Sequence, residues 1–153
     1  MVAKKKSVPR TAPPRIRLLI IDDDQATLAV VQETLTAAGM DVVSVRTALG
    51  ADAALATQDV SLVLLGLTLP DADGRAVASR LAQSPGTAGI PVLILSHVKP
   101  DGVLEEARRL GLAGWLAKPV DPATLRAAVT EALQASASLA ADPDHEPRSG
   151  TAS

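Results

Sequence analysis

Four stretches of the sequence hold residue types suited to phosphate or metal chemistry. "IIDDDQ" carries three consecutive carboxylates, Asp22, Asp23 and Asp24. "VLILSHV" ends an apolar run in a hydroxyl, Ser96, followed by His97. "GWLAKPV" sets a cation, Lys118, directly before Pro119. "LVLLGLTLPDADG" ends another apolar run in Gly66, which brings no side chain at all. Adjacent carboxylates repel one another unless a cation neutralises them. A hard divalent ion with oxygen ligands, Mg2+ or Mn2+, would do this for Asp22 and Asp23. Asp24 reads instead as the cap of a following helix, where its charge favours the helix dipole. A lysine can pair with phosphoryl oxygens and a hydroxyl can donate to one. Together these residues suit a phosphoryl or metal site from which the nucleophile is missing. Strand propensity does not account for Gly66, because glycine loses the most backbone entropy and packs nothing.

These residues need elements that bring them to one place. Leu18–Ile21, Ser61–Leu65 and Pro91–Leu95 are short continuous apolar runs, the pattern of strands covered on both faces. Val42–Val45 and Gly114–Ala117 read as further strands. Between them lie helical patterns. Leu28, Val31, Leu35 and Ala38 form a stripe that Gly39 should end. Ala48–Ala56 is an Ala-rich helix, and Asp73 caps a helix through Val77 and Leu81. Asp101–Leu110 forms another, with Gly111 as its stop. Asp121 with Pro122 opens the last, carried by Leu125, Val129 and Leu133. Five strands alternating with helices predict a parallel α/β sheet with helices on both faces and right-handed crossovers. Sites in such folds form at the carboxyl ends of the strands, where Asp22–Asp23, Gly66, Ser96 and Lys118 all fall.

The composition bounds the rest. A chain of 153 residues suggests one domain, and its core must come from Leu, Val, Ile and Ala, since there is no Phe or Tyr and one Trp. The absence of Cys excludes disulfides and thiolate chemistry. No apolar run reaches the roughly 18 residues a membrane span needs, so a cytoplasmic protein without membrane contact is expected. Residues 1–17 hold six Lys/Arg and no acid, whereas the remainder is acidic. Residues 1–15 read as a disordered basic leader, residues 16–136 as the domain, and residues 137–153 as a disordered tail or linker. No aromatics interleave the basic charges, which argues against nucleic-acid binding through the leader.

The pieces "RLLIIDDD", "SLVLLGLTLPDADG", "IPVLILS" and "GLAGWLAKPVD" resemble the receiver domain of bacterial response regulators, over residues 16 to about 136. The resemblance implies a flavodoxin-like five-stranded parallel sheet of order 2-1-3-4-5. It implies Mg2+ ligation by Asp22, Asp23 and the backbone carbonyl of Thr68, a phosphoryl site with Ser96 and Lys118, and a cis Lys118–Pro119 bond. It also implies a switch formed by Ser96 and Trp115. The family's phosphoacceptor Asp falls at Gly66, so the resemblance is to a pseudo-receiver that is not an enzyme. Asp71 and Asp73 match the family's own turn and lie too far along the loop to substitute. With one carboxylate fewer, Mg2+ binding should be weak and no cofactor required. His97 stands where the family keeps a small residue, and could fill the vacant site by pairing with Asp22 or Asp23.

The implied partner is a signalling protein, a histidine kinase or an output protein. It would dock on the face built from the helix over 101–110, the strand over 114–117 and the last helix. Three rival readings compete. One is an engineered Asp-to-Gly form of an ordinary response regulator. A second is nucleic-acid binding through the basic arm. The third is a haloacid-dehalogenase-like phosphatase, whose nucleophile motif "DDDQA" faintly resembles before Ala26 breaks it.

Overall fold

The computed structural model describes residues 16–97 and 112–141. Five parallel strands, β1 (Arg17–Ile21), β2 (Asp41–Val45), β3 (Leu62–Gly66), β4 (Val92–Ser96) and β5 (Gly114–Ala117), form one sheet of order β2-β1-β3-β4-β5. The described helices are α1 (Gln25–Ala37), α2 (Ala48–Thr57), α3 (Gly74–Gln83) and α4 (Pro122–Ala141). The helix expected over Asp101–Leu110 and the basic leader lie outside the described residues. Among the described residues, no helix is long and apolar enough to cross a membrane.

The period-two alternation of strand side chains divides the core in two. Leu18, Ile20, Leu62, Leu64, Leu93, Leu95 and Leu116 pack with Val31 and Leu35 of α1 and with Leu125 and Val129 of α4. Leu19, Ile21, Val63, Leu65, Val92 and Ile94 pack with the alanines of α2 and with Val77 and Leu81 of α3. Both faces of the central strands are therefore covered, as their unbroken apolar runs require.

The ends of the helices are fixed by the residues the sequence singles out. Asp24 accepts from Ala26 N at the start of α1, and Asp73 accepts from Arg75 N at the start of α3. Asp121 accepts from Thr124 N ahead of α4, with Pro122 in the first turn. Gly39 ends α1 with a φ of 91°, a conformation that favours glycine.

One boundary differs from the sequence reading. The tail was expected from residue 137, but α4 runs on to Ala141. The reason is local. "ASASLAA" contains no Gly or Pro, and Ala and Leu are the strongest helix formers. Composition alone made the serines look like a linker.

Candidate functional site

Register brings the candidate residues level with one another. Ile21 pairs with Leu65 across β1 and β3, so Asp22 stands beside Gly66. Gly66 pairs with Leu95 across β3 and β4, and Ser96 pairs with Ala117 across β4 and β5. Two bonds extend the ladders past the strand ends: Asp22 N donates to Val45 O at 3.1 Å, and Lys118 N donates to Ser96 O at 2.9 Å. The sheet itself thus delivers Asp22, Gly66, Ser96 and Lys118 to its carboxyl edge.

The side chains then make a specific choice. Lys118 Nζ lies 2.7 Å from Asp22 Oδ2, in an ion pair whose side chains are only 8% and 1% exposed. Asp22 Oδ1 accepts from Asp24 N at 3.0 Å, which fixes the carboxylate from the other side. Its position depends on Gly66. A Cβ built at Gly66 would sit 2.7 Å from Asp22 Oδ2 and 2.8 Å from its Cγ. The carboxylate of Asp22 therefore fills the space that any side chain at residue 66 would need. Gly74 makes this arrangement possible from behind, because its backbone rests on the Gly66 carbonyl with no room for a Cβ.

Asp24 is the second acid near the ammonium, with Oδ2 3.9 Å from Lys118 Nζ. Thr27 Oγ1 donates to that oxygen at 2.7 Å. This bond holds the Asp24 carboxyl below its ordinary range, helped by Ala26 N and by the charges of Lys118 and His97 and opposed by partial burial. Asp23 is exposed, and its backbone carbonyl accepts from Arg46 Nη2 at 3.1 Å. Arg46 Nη1 also donates to Gln25 Oε1 at 2.9 Å, so a second cation ties down the acidic loop.

The other expected site residues are placed as follows. Ser96 is buried at the end of β4 and falls in the alternation with Val92 and Ile94, toward the α2/α3 side. His97 is exposed. The space beside Gly66 is filled by Asp22, which corrects the expectation that His97 fills it. Thr68 is exposed and bridges to Asp73 in the following turn. Trp115 packs against the α2/α3-side core, and its buried Nε1 has no acceptor among the described residues. The Lys118–Pro119 bond is cis.

The residues do not fit a divalent ion in this arrangement. Both oxygens of Asp22 are engaged, one by an ammonium and one by a backbone amide. Among the described residues, no group of three or more His, Cys, Asp or Glu could hold a metal ion. The reading of Asp22 and Asp23 as a metal-binding pair did not include the ion pair that Lys118 makes with Asp22. Alternation carried the missing signal: Asp22, Gly66 and Lys118 continue the parity of Ile20, Leu64 and Leu116, which share one sheet face.

Sequence reasoning placed Asp71 in the turn but missed its contact with α2. Its carboxylate accepts from Ala48 N at 2.8 Å and Leu49 N at 3.1 Å, clamping the β3–α3 loop onto the start of α2. Those two bonds hold its carboxyl below the ordinary range.

This architecture is shared by known proteins. The family model for the response regulator receiver domain matches residues 18–130. The DNA-binding dual master transcriptional regulator RpaA of Synechocystis is 34% identical over 118 residues, covering 77% of this chain and 49% of RpaA. Response regulator PleD of Caulobacter vibrioides is 31% identical over 116 residues, covering 74% of this chain and 25% of PleD. The crystal structure of a sensor protein from Polaromonas is 27% identical with a TM-score of 0.75, covering 80% of this chain and 99% of that one. The chain thus spans a quarter to about half the length of these two curated relatives. With sheet order, site register and family model in agreement, the chain belongs to the response regulator receiver domain family.

Proposed function

We propose that this chain is a receiver-type signalling module that accepts no phosphoryl group at the usual strand-end position and acts through protein–protein contact. The observation that carries this reading is Gly66 at the end of β3, with the Asp22 carboxylate occupying the space beside it. Phosphotransfer to a receiver needs a carboxylate to attack a phosphohistidine, and glycine offers none. Asp71 caps α2 and Asp73 caps α3, so neither acid of the turn is available to substitute. The module is not an enzyme on this reading. Its partner is a histidine kinase or an output protein, met on the face that includes β5 and α4. Trp115 on β5 is the aromatic candidate for that contact.

The test is a titration of the chain with acetyl phosphate and beryllofluoride beside its Gly66→Asp variant, followed by Trp115 emission. A response confined to the variant is expected. Phosphorylation or beryllofluoride binding by the wild-type chain would refute the reading. If Gly66 was engineered in place of an acceptor, the same titration would return the switch in the variant.

A further inference from the structure

We propose that the ammonium of Lys118 takes the place of a divalent cation at Asp22, so that an ion pair lying on Gly66 ties the end of β1 to the end of β5 without metal or phosphate. This deepens the reading above and rests on it for the absence of an acceptor at residue 66. Three independent contacts place the Asp22 carboxylate. Gly66 leaves the space, Lys118 Nζ closes on Oδ2 at 2.7 Å, and Asp24 N holds Oδ1 at 3.0 Å. Asp24 adds a second negative charge 3.9 Å from the same ammonium, and its orientation is fixed by Thr27 and Ala26. Arg46 holds the loop backbone at Asp23.

Two of the chain's own cations therefore stand at the acidic loop, Lys118 on the Asp22 carboxylate and Arg46 on the backbone carbonyl of Asp23. A divalent ion reaching Asp22 would have to evict an ammonium from a buried carboxylate or lie within a few ångströms of it, and like charges at that distance repel strongly in a low-dielectric site. The mechanical consequence follows from where the lysine sits. Lys118 begins the short connection from β5 to α4, so the pair fixes that connection in one arrangement. The surface made by β5 and α4 is then presented in a constant form, set by an internal contact and not by a ligand.

The experiment is a MgCl2 titration of the full chain, read by amide NMR at residues 22–24 and 118 and by Trp115 emission. The wild-type chain is expected to show no saturable response up to about 10 mM, a weak affinity for a carboxylate site of this ion. Lys118→Met removes the internal cation and should bind Mg2+ at least about tenfold more tightly than wild type, since a buried carboxylate without a partner favours a cation. Saturable sub-millimolar binding by the wild type, or no gain in Lys118→Met, would overturn the proposal. If Lys118→Met fails to fold, the double variant Asp22→Asn/Lys118→Met should fold again, because the unpaired charge is gone; failure to recover also overturns it. A wild type that binds Mg2+ but ignores beryllofluoride would remove this inference and leave the proposed function standing.

Discussion

Replacing Gly66 by alanine tests the geometry of the site most directly. In an ordinary strand Gly→Ala is stabilising by roughly 0.5–1 kcal/mol, because glycine loses more backbone freedom on folding. Here the new methyl would stand 2.7 Å from Asp22 Oδ2 and 3.2 Å from Oδ1. The first distance is shorter than real Cβ contacts, so the carboxylate must move. It is held between the methyl, the ammonium and Asp24 N, and any retreat weakens at least one of these bonds. Breaking a buried ion pair outright costs about 3–5 kcal/mol. Asp24 stands 3.9 Å from the ammonium and can take up part of its charge, which reduces that cost. Set against the glycine gain, Gly66→Ala should destabilise the domain by about 1–3 kcal/mol. Urea unfolding followed by the single tryptophan, Trp115, measures this. The decisive comparison is the same substitution in an Asp22→Ala chain. With the carboxylate gone the methyl has room, and Gly66→Ala should stabilise by roughly 0.5–1 kcal/mol. A change of sign between the two backgrounds is the expected outcome. Equal effects in both, or stabilisation of the wild type, would refute the claim that Asp22 fills the space beside residue 66.

Two further outcomes follow from the same loop. Gly74→Ala drives a Cβ onto the carbonyl oxygen of Gly66 and to 2.7 Å from Leu67 Cα, atoms of backbone that cannot rotate away; it should destabilise by at least about 2 kcal/mol in the same urea assay, and a neutral result would mean the loop packs otherwise. Asp71 gives an acid dependence: hydrogen bonds from Ala48 N and Leu49 N lower its folded pKa below the ordinary 3.8, so its contribution is present above that value and is lost as pH falls through the lower folded value. The stability gap between wild type and Asp71→Asn should therefore narrow as pH falls from above 3.8 to below it, and a gap that stays constant would mean Asp71 does not clamp α2 through its charge.

The fold was legible because β1 and β3 declare themselves twice, by an apolar run and by the cap that follows. Leu18–Ile21 leads into Asp24, and Leu62–Gly66 leads into Asp73, so both the strand and the start of the next helix can be placed. The end of α4 was not legible, because Ser136 and Ser138 suggest a linker while the alanines around them sustain a helix. Within the site, the residues were legible and their pairing was not. Asp22 and Lys118 are 96 positions apart in sequence, and only the β1–β3–β4–β5 register makes them neighbours. The clamp made by Asp71 was not legible for the same reason, since its targets, Ala48 and Leu49, belong to a helix more than 20 residues earlier.

A missing carboxylate at residue 66 has two consequences that the geometry makes one. It removes a nucleophile, and it opens the space into which Asp22 turns toward Lys118. On the proposed reading the acceptor and the metal site are lost together: with residue 66 bare, the buried acid takes the internal cation, and with a side chain there it cannot stay where it is. Restoring Asp at residue 66 should then act twice. Its Cβ displaces the Asp22 carboxylate, and its own carboxylate competes for the lysine, which frees Asp22 to meet a divalent ion. Gain of phosphoryl acceptance and gain of Mg2+ binding in Gly66→Asp should accordingly appear as a single event, whereas an acceptor lost from an otherwise intact metal site would leave Mg2+ binding in the wild type to be found before any substitution.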